Sequence, residues 1–171
     1  MTQRGWSLAF AVVAAAIGLA AAGPALAATR LPASVPAGDP VKPVHRTEAQ
    51  WLERLTPQQY KVLRQKGTDM AFTGKYVKVK GPGVFRCAGC GLEVFRTDNK
   101  FESGTGWPSF WAPYARSHVR EVADGSLGME RVELLCARCD GHLGHLFDDG
   151  PKPSGLRYCI NSSSLEFVPS K

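Results

Sequence analysis

The sequence lacks any block of basic residues. Its formal net charge is +6 over 171 residues, but the Lys and Arg residues are scattered along the chain and form no evident basic face. Proteins that bind nucleic acids concentrate positive charge on one surface, so we expect no nucleic-acid partner. Internal repeats are also lacking, apart from two Cys-x-x-Cys units. The length is enough for one domain with its own core.

The chain has few long apolar runs, and the one near the N-terminus covers residues 8–22. It is somewhat short for a transmembrane helix, which needs about 20 residues. Arg4 precedes the run, Pro24 ends it, and residues 25–27 read Ala-Leu-Ala. This order is typical of a secretory signal peptide; the alternative is an uncleaved membrane anchor. We expect removal of residues 1–27, a periplasmic or secreted protein, and no stable membrane insertion after cleavage.

The next segment, residues 28–46, is rich in proline and alanine, which predicts a linker or a mobile arm. Two short helices are then expected at the start of a domain over residues 47–171. Thr47 can cap the first helix. Thr56, followed by proline, begins the second helix, and Gly67 ends it.

Beyond Gly74 the hydrophobic pattern changes to a period of two, which is typical of strands. Helices followed by many short strands predict a mainly β domain of the α+β class, dominated by antiparallel sheet. The predicted strands cover residues 75–81, 84–87, 118–122, 129–136, 156–161 and 165–168.

Four of the five cysteines form two pairs, Cys87 with Cys90 and Cys136 with Cys139. Two such turns can complete a tetrahedral site with four sulfur ligands, which favours one structural zinc ion. The long separation between the pairs indicates that the site joins two distant hairpins. Two alternatives are redox disulfides, since a periplasm is oxidising, and a catalytic zinc, which would need an open ligand position.

The fifth cysteine, Cys159, has no such partner. In a strand, Arg157, Cys159 and Asn161 share one face, and the apolar residues between them share the other. A guanidinium beside a thiol favours the thiolate, which is the nucleophilic form. The alternative is a small, buried, inert cysteine.

Two histidines follow the second cysteine pair, His142 and His145. They are candidate proton donors near neutral pH, or metal ligands. Their three-residue spacing places them on opposite faces of a regular strand. They can converge on one site only if Gly141 or Gly144 bends the backbone.

An aromatic cluster follows the glycines of the segment KFESGTGWPSF. Trp107, Phe110 and Trp111 can pack in the core, or they can form a pocket for a small apolar group such as a methyl. The residues alone therefore predict a zinc-stabilised β domain with a candidate nucleophile, and they name no substrate.

Five motifs in order resemble the B-type methionine-R-sulfoxide reductases: RLTPQQYKVLRQKGTDMAFTGKY, CAGCG, KFESGTGWPSF, CARCDGHLGHLFDDGP and GLRYCINSSSLEF. The resemblance implies two antiparallel sheets with short N-terminal helices. It implies zinc at the four paired cysteines, with Cys159 as the nucleophile. It also implies contact of Trp107 with the substrate methyl group. The remaining implied site residues surround the sulfoxide oxygen or hold the thiolate: His142, His145, Asn161 and Arg157.

The chain departs from many members of that family at Thr105, where they have a second, resolving cysteine. We therefore expect Cys159 to become a sulfenic acid that an external, thioredoxin-like thiol reductant restores. Oxidised proteins are the expected substrates, and the protein is expected to be a monomer. Two competing functions are a zinc-stabilised binding module with an inert cysteine and a Cys-His hydrolase. The hydrolase lacks a clear orienting carboxylate, although Asp148 and Asp149 lie close in sequence.

Overall fold

Two short helices lead into an antiparallel β structure in the computed structural model, which describes residues 30–170. The expected signal peptide, residues 1–27, lies outside the described residues. Helix α1 covers Glu48–Arg54 and helix α2 covers Pro57–Gln65. Each begins with a capping box, in which a threonine and a glutamine three residues later satisfy each other's backbone N–H groups. The predicted caps at Thr47 and Thr56 are confirmed.

The end of α2 differs from the prediction by one residue. Lys66, and not Gly67, adopts the left-handed conformation, with φ 56°. Gly67 follows it and donates its N–H to the Lys61 carbonyl. The glycine is still needed here for space, because a Cβ on Gly67 would lie 2.9 Å from that carbonyl oxygen.

Nine strands form two antiparallel sheets in the described part of the chain, as expected. The small sheet has the order β2-β1-β9 and the large sheet the order β3-β4-β8-β7-β6-β5. The strands are β1 Gly83–Cys87, β2 Glu93–Arg96, β3 Lys100–Phe101, β4 Ser109–Phe110, β5 Val119–Asp124, β6 Arg131–Cys136, β7 His142–Phe147, β8 Arg157–Ile160 and β9 Leu165–Pro169.

The prediction of a strand at residues 75–81 is wrong, because this segment forms turns. Its backbone bonds locally and to side chains: Val77 donates to the Gly74 carbonyl, and Tyr76 donates to the Ser162 hydroxyl. The alternation reflects the burial of Tyr76 between exposed lysines, with no neighbouring strand.

Aromatic rings from both sheets form the centre of the core. Phe85 and Phe95 of the small sheet meet Phe110 and Tyr158 of the large sheet, with the Phe95 and Phe110 rings stacked at 4.4 Å. Such ring pairs add stability beyond the area that they bury. Of the aromatic cluster noted in the sequence, only Phe110 is fully buried, and Trp107 remains half-buried at the surface.

The first part of the N-terminal segment, residues 31–35, is packed on the domain, whereas residues 36–40 are exposed. Leu31 and Val35 are buried in the core. The Arg116 guanidinium donates to the carbonyls of Leu31, Pro32 and Val35 at 2.7–3.2 Å. Prolines do exclude regular structure here, but buried side chains and this arginine hold the segment in place.

Within residues 30–170, the helices are all too short or too polar to cross a membrane.

Candidate active site

Four cysteine sulfurs meet where the two sheets approach each other. Cys87 ends β1 and Cys136 ends β6, while Cys90 and Cys139 lie in the turns that follow. All four Sγ atoms lie within 4.8 Å of one another, with Cys87–Cys139 at 3.6 Å and Cys90–Cys136 at 3.5 Å. A tetrahedral ion with zinc–sulfur bonds of ~2.3 Å places its sulfurs about 3.8 Å apart. The cluster can therefore hold one metal ion, and it joins two distant hairpins as predicted.

The helices brace both cysteine turns. Arg54 of α1 donates to the Gly89 carbonyl at 2.9 Å, and Arg64 of α2 donates to the Cys139 carbonyl at 3.0 Å. In each turn the residue after the second cysteine is left-handed, Gly91 with φ 76° and Asp140 with φ 56°. Glycine and aspartate are residues that tolerate this conformation.

The cysteines of the described chain are all free thiols. The closest sulfur pairs in the cluster join one Cys-x-x-Cys unit to the other. Their separations greatly exceed a disulfide bond of about 2.05 Å. This arrangement favours metal binding over the redox-disulfide alternative.

Cys159 lies in the middle of the large sheet, on strand β8. It pairs with Ser109 of β4 on one side and with His145 of β7 on the other. The alternate residues Tyr158 and Ile160 are buried in the core. Their burial confirms the predicted core face of the strand, and on the other side the charge of Arg157 acts to lower the pKa of the thiol.

The pKa of Cys159 is raised above its ordinary value, which differs from the expectation of a readily formed thiolate. Burial is the largest cause, because it disfavours the charged form. The Arg157 charge and hydrogen bonds from Thr105 and Arg157 act in the opposite direction, and the Asp149 charge adds to the increase. In the substrate-free protein, burial outweighs the guanidinium.

The Thr105 hydroxyl favours the Cys159 thiolate and belongs to a short chain of hydroxyl groups that ends at Ser109, the strand partner of Cys159. Its Oγ1 lies 2.8 Å from Ser103 Oγ, which lies 2.8 Å from Ser109 Oγ. Ser109 donates in turn to the Trp107 carbonyl at 3.1 Å. A hydroxyl can either accept a hydrogen bond from a thiol or donate one to a thiolate. The hydroxyl chain can therefore interact with Cys159 in both of its protonation states.

His142 and His145 converge on one face of β7, with their ring centroids 5.3 Å apart. The pairing with β6 shifts register between Leu134 and Leu135, so that Leu143 is an extra, bulged residue. The bulge changes the parity of the strand and brings both rings to the same side. The condition set by the sequence, a departure from regular strand at Gly141 or Gly144, is met by a bulge at Leu143, next to Gly144.

Each histidine has a carboxylate partner that the sequence did not reveal. His142 donates from Nδ1 to Glu133 at 2.7 Å, and His145 donates from Nε2 to Asp124 at 2.8 Å. Asp148 and Asp149, which are near in sequence, are not these partners. Glu133 interrupts an apolar strand between Val132 and Leu134, a signal that could have identified it.

The two carboxylates remain ionised near their histidines. Burial tends to raise the pKa of Glu133, but hydrogen bonds from Lys66 and His142 outweigh it, and the pKa is lowered. The pKa of Asp124 is lowered by hydrogen bonds from the Ser126 hydroxyl, the Ser126 N–H and His145. These charges orient both imidazoles beside a cavity of about 200 Å³ that both rings line.

His142 also has a buried ring nitrogen without a partner in the described chain. Burial lowers the pKa of His142, although Glu133 opposes this. With Nδ1 committed to Glu133, the buried Nε2 makes no hydrogen bond. An unsatisfied buried polar atom is costly, so this nitrogen is available for a polar ligand atom.

Arg157 is held by Asp149 in a two-pronged ion pair, with Nε and Nη2 at 2.7 and 2.9 Å from the two carboxylate oxygens. Its guanidinium also lies 4.3 Å from the centre of the Phe147 ring. A planar guanidinium held in this way has little freedom to turn. Arg157 therefore presents a fixed positive charge beside the thiol.

A single residue of the loop after α2 connects the two remaining predicted site residues. The Asp69 N–H donates to Asn161 Oδ1 at 2.9 Å, and the Asp69 carbonyl accepts from the Trp107 indole at 3.0 Å. The Asp69 carboxylate is held by the hydroxyl and N–H of Ser163. Asn161 also donates to the Leu143 carbonyl at the bulge. The sequence did not indicate this contribution of Asp69.

Comparison with known proteins identifies the family. A SelR domain matches residues 55–169. A peptide methionine sulfoxide reductase MsrB of Leptospira interrogans is 55% identical over 124 residues, which are 72% of this chain and 95% of the relative. The MsrB of Synechococcus sp. (strain RCC307) is 54% identical over 125 residues, 73% of this chain and 92% of the relative.

The chain belongs to the SelR-domain family of MsrB methionine sulfoxide reductases. These enzymes are oxidoreductases. A third member, the MsrB of Thiobacillus denitrificans, is 54% identical over 124 residues, 72% of this chain and 94% of the relative. The matched SelR domain begins just after α1 and contains the metal cluster, both histidines and Cys159.

The SelR fold brings most of the predicted site residues together around Cys159. Arg157 and His145 are its neighbours, and His142 reaches the same face through the bulge. Asn161 is buried two residues after Cys159, and its side-chain amide hydrogen-bonds the backbone of Asp69 and of Leu143. The chemical roles that we assign to these side chains stay predictions.

Proposed function

We propose that the protein reduces methionine-R-sulfoxide residues in oxidised proteins to methionine, with Cys159 as the nucleophile. The observation that carries the proposal is the setting of this thiol. It lies between the fixed charge of Arg157 and a carboxylate-oriented histidine, His145, in a chain of the SelR-domain family.

The proposed chemistry moves one oxygen atom from substrate to enzyme. The Cys159 thiolate attacks the sulfoxide sulfur, and the oxygen becomes more basic as its bond to that sulfur weakens. A histidine donates a proton to this oxygen; we assign this role to His145 with His142 beside it. The substrate sulfur gains two electrons and leaves as methionine. The Cys159 sulfur loses two electrons and carries the oxygen as sulfenic acid.

The surrounding side chains support particular steps. Arg157 favours the thiolate at the moment of attack, and Asn161 with the histidines surrounds the oxygen. Trp107 offers an apolar surface to the methyl group. Because the pKa of Cys159 is raised in the free protein, we expect binding of the substrate to favour the thiolate by placing an electrophilic sulfur against it.

An external thiol must regenerate the enzyme. Four of the five cysteines belong to the metal cluster, and Thr105 stands where many relatives have a resolving cysteine. Two thiols of an external, thioredoxin-like donor would reduce the sulfenic acid, forming a disulfide and water. We assign one structural zinc ion to the four-sulfur cluster, because four thiolates leave no open ligand position.

Export is part of the proposal and rests on the N-terminal pattern. A cleaved signal peptide at residues 1–27 would place a monomeric enzyme in the periplasm or outside the cell. N-terminal sequencing of the protein from fractionated cells tests this: we expect mature protein beginning at Ala28 in the periplasmic or secreted fraction. Full-length protein in the membrane fraction would overturn it.

The catalytic proposal is tested with wild type and Cys159→Ser on separated epimers of a methionine sulfoxide peptide, with dithiothreitol as the reductant. We expect wild type to reduce the R epimer only, and the variant to lose more than about 10³-fold in kcat. The control is retention of metal and of the unfolding midpoint in the variant. Reduction of neither epimer by wild type would favour the binding-module alternative.

Mass spectrometry of the oxidised enzyme tests the single-cysteine step. After reaction with substrate and no reductant, we expect sulfenic acid on Cys159, trapped by dimedone. A disulfide between Cys159 and a second cysteine of metal-loaded protein would contradict the external reductant.

A further inference from the structure

An apolar groove lies directly beside the proposed reaction site. It has a volume of about 270 Å³ and is lined by Phe72, Val77, Phe101 and Trp107, with Lys78 and Lys80 at its edge. Ser103 also lines it, and the Ser103 hydroxyl lies 2.8 Å from that of Ser109, the residue that pairs with Cys159 across the strands. One short loop therefore connects the groove to the strand beside the reactive thiol.

One large apolar side chain of the groove, Phe72, is held in solvent by the fold, and a second exposed one, Met70, lies two residues before it in the chain. Met70 is 76% exposed and Phe72 is 71% exposed. Phe72 has a φ of 67°, a left-handed conformation that is rare and strained for a bulky residue. Core packing does not explain this strain, because the ring points away from the core.

The strained conformation is fixed by the loop that carries Trp107. The Phe72 N–H donates to the Gly106 carbonyl at 2.8 Å. A Cβ on Gly106 would lie 2.7 Å from that same nitrogen, so only glycine allows the two loops to approach. The strained backbone at Phe72 and the glycine at position 106 are therefore both needed to hold Phe72 beside Trp107.

The same edge of the groove is positively charged. Lys78 and Lys80 are exposed, and Glu102, the acid among the lining residues, pairs with Lys80 at 3.2 Å. Lys100 secures this edge by donating to the Val77 carbonyl at 2.7 Å. A partner that combines an apolar side chain with carboxylates complements this surface.

We propose that the groove binds the polypeptide that carries the methionine sulfoxide. An apolar side chain near the oxidised residue packs against Phe72, beside Trp107, and acidic residues beyond it pair with Lys78. This inference rests on the proposed function and specifies its substrate class: extended protein segments in which methionine sulfoxide is close to apolar and acidic residues.

The test compares a small substrate with peptides. The probes are N-acetyl-methionine-R-sulfoxide, a peptide with the oxidised residue between Leu-Asp-Asp segments, and a matched peptide with lysine in place of aspartate. We expect Phe72→Ala and Phe72→Gly to lower kcat/KM about tenfold for both peptides. The N-acetyl substrate should change by less than about twofold. The glycine variant suits the positive φ and so separates loss of the ring from disturbance of the loop.

Charge reversal provides the second arm. We expect Lys78→Glu to lower kcat/KM for the aspartate peptide and to raise it for the lysine peptide, about fivefold each way at low salt. Lys42→Glu and Leu52→Ala are matched controls, since both side chains are exposed and lie outside the groove lining. Both should behave as wild type on every substrate.

Two results would overturn the inference. If the Phe72 variants lost kcat/KM equally on the small substrate and on the peptides, Phe72 would stabilise the reaction site and would not bind the peptide. Docking in this groove would be excluded if Lys78→Glu had the same kcat/KM on the aspartate and lysine peptides and the Phe72 variants reduced both peptides as well as wild type does. If wild type left every sulfoxide unreduced, the proposed function itself would fail, and the groove proposal with it.

Discussion

At the scale of single residues, the reactivity of Cys159 is a balance between burial and a few directed contacts. Burial raises its pKa, while Arg157 and the Thr105 hydroxyl favour the thiolate. A hydrogen bond to a charged group contributes roughly 1.5–3 kcal/mol, and one pKa unit corresponds to about 1.4 kcal/mol. Thr105 should therefore have a measurable effect on this thiol even though it contributes no redox chemistry.

We predict that Thr105→Val raises the pKa of Cys159 further, because the thiolate loses a donor. A thiol is deprotonated above its pKa, so a higher pKa lowers the thiolate fraction at pH 7 and slows reactions of the thiolate. The measurement is the rate of Cys159 alkylation by iodoacetamide between pH 6 and pH 10, followed by mass spectrometry. Thr105→Ser keeps the hydroxyl and should match wild type; equal rates for Val and Ser would contradict the role.

At the scale of elements, the bulge in β7 creates the site. It places His142 beside His145, and the next residue, Gly144, packs against β8 with no room for a side chain. A Cβ at Gly144 would lie 2.0 Å from the Cys159 carbonyl oxygen. The strand that carries the histidines and the strand that carries the thiol can approach closely only because this position is glycine.

We predict that Gly144→Ala destabilises the fold by about 1–3 kcal/mol and abolishes reductase activity, because β7 and β8 must separate. Urea unfolding and peptide reduction measure the two effects. Gly125→Ala is the control, since a Cβ there meets nothing within 4 Å, and it should remain near wild type. A fully active Gly144→Ala protein would show that the strands can adjust without moving the thiol.

At the scale of the whole molecule, the cysteine cluster connects the two sheets. Its four cysteines all precede Cys159 in the sequence by 20 residues or more. Cys87 and Cys90 follow a strand of the small sheet, and Cys136 and Cys139 follow a strand of the large sheet. Metal-binding free energy adds directly to folding free energy when the unfolded chain has no formed site. The cluster should thus govern stability more than catalysis.

We predict that removing the metal with a strong chelator lowers Tm by more than about 10 °C. Differential scanning calorimetry, with metal content by atomic emission, provides the measurement. Cys159→Ser should retain the metal and the wild-type Tm, whereas Cys87→Ser should lose both. A chelated protein with unchanged Tm would contradict a structural role.

Much of the local structure could be read from the sequence, because caps and strand alternation depend on near neighbours. Thr47 and Thr56 identified the helix starts, and the parity of β8 identified its core face. The prediction of a strand at residues 75–81 failed because alternation also depends only on near neighbours. The alternation around Tyr76 indicates burial but does not show that a partner strand lies beside it. The packing of residues 31–35 was also hidden, because it depends on Arg116.

The partners of the site residues could not be read in this way. Asp124 and Glu133 lie on two strands that only the sheet order brings beside the histidines. Asp69 reaches Trp107 and Asn161 across separations of 38 and 92 residues. Such contacts depend on register, and a shift of one residue would turn each side chain to the other face.

The sequence by itself determined the four cysteines of the cluster, the helix caps and the core face of the Cys159 strand, because spacing and periodicity are local properties of the chain. Only the tertiary structure decided that a bulge brings the histidines together, that burial outweighs Arg157 at the thiol, and that Phe72 borders a groove beside Trp107. Each of these depends on the distance between groups far apart along the chain, and folding alone sets that distance.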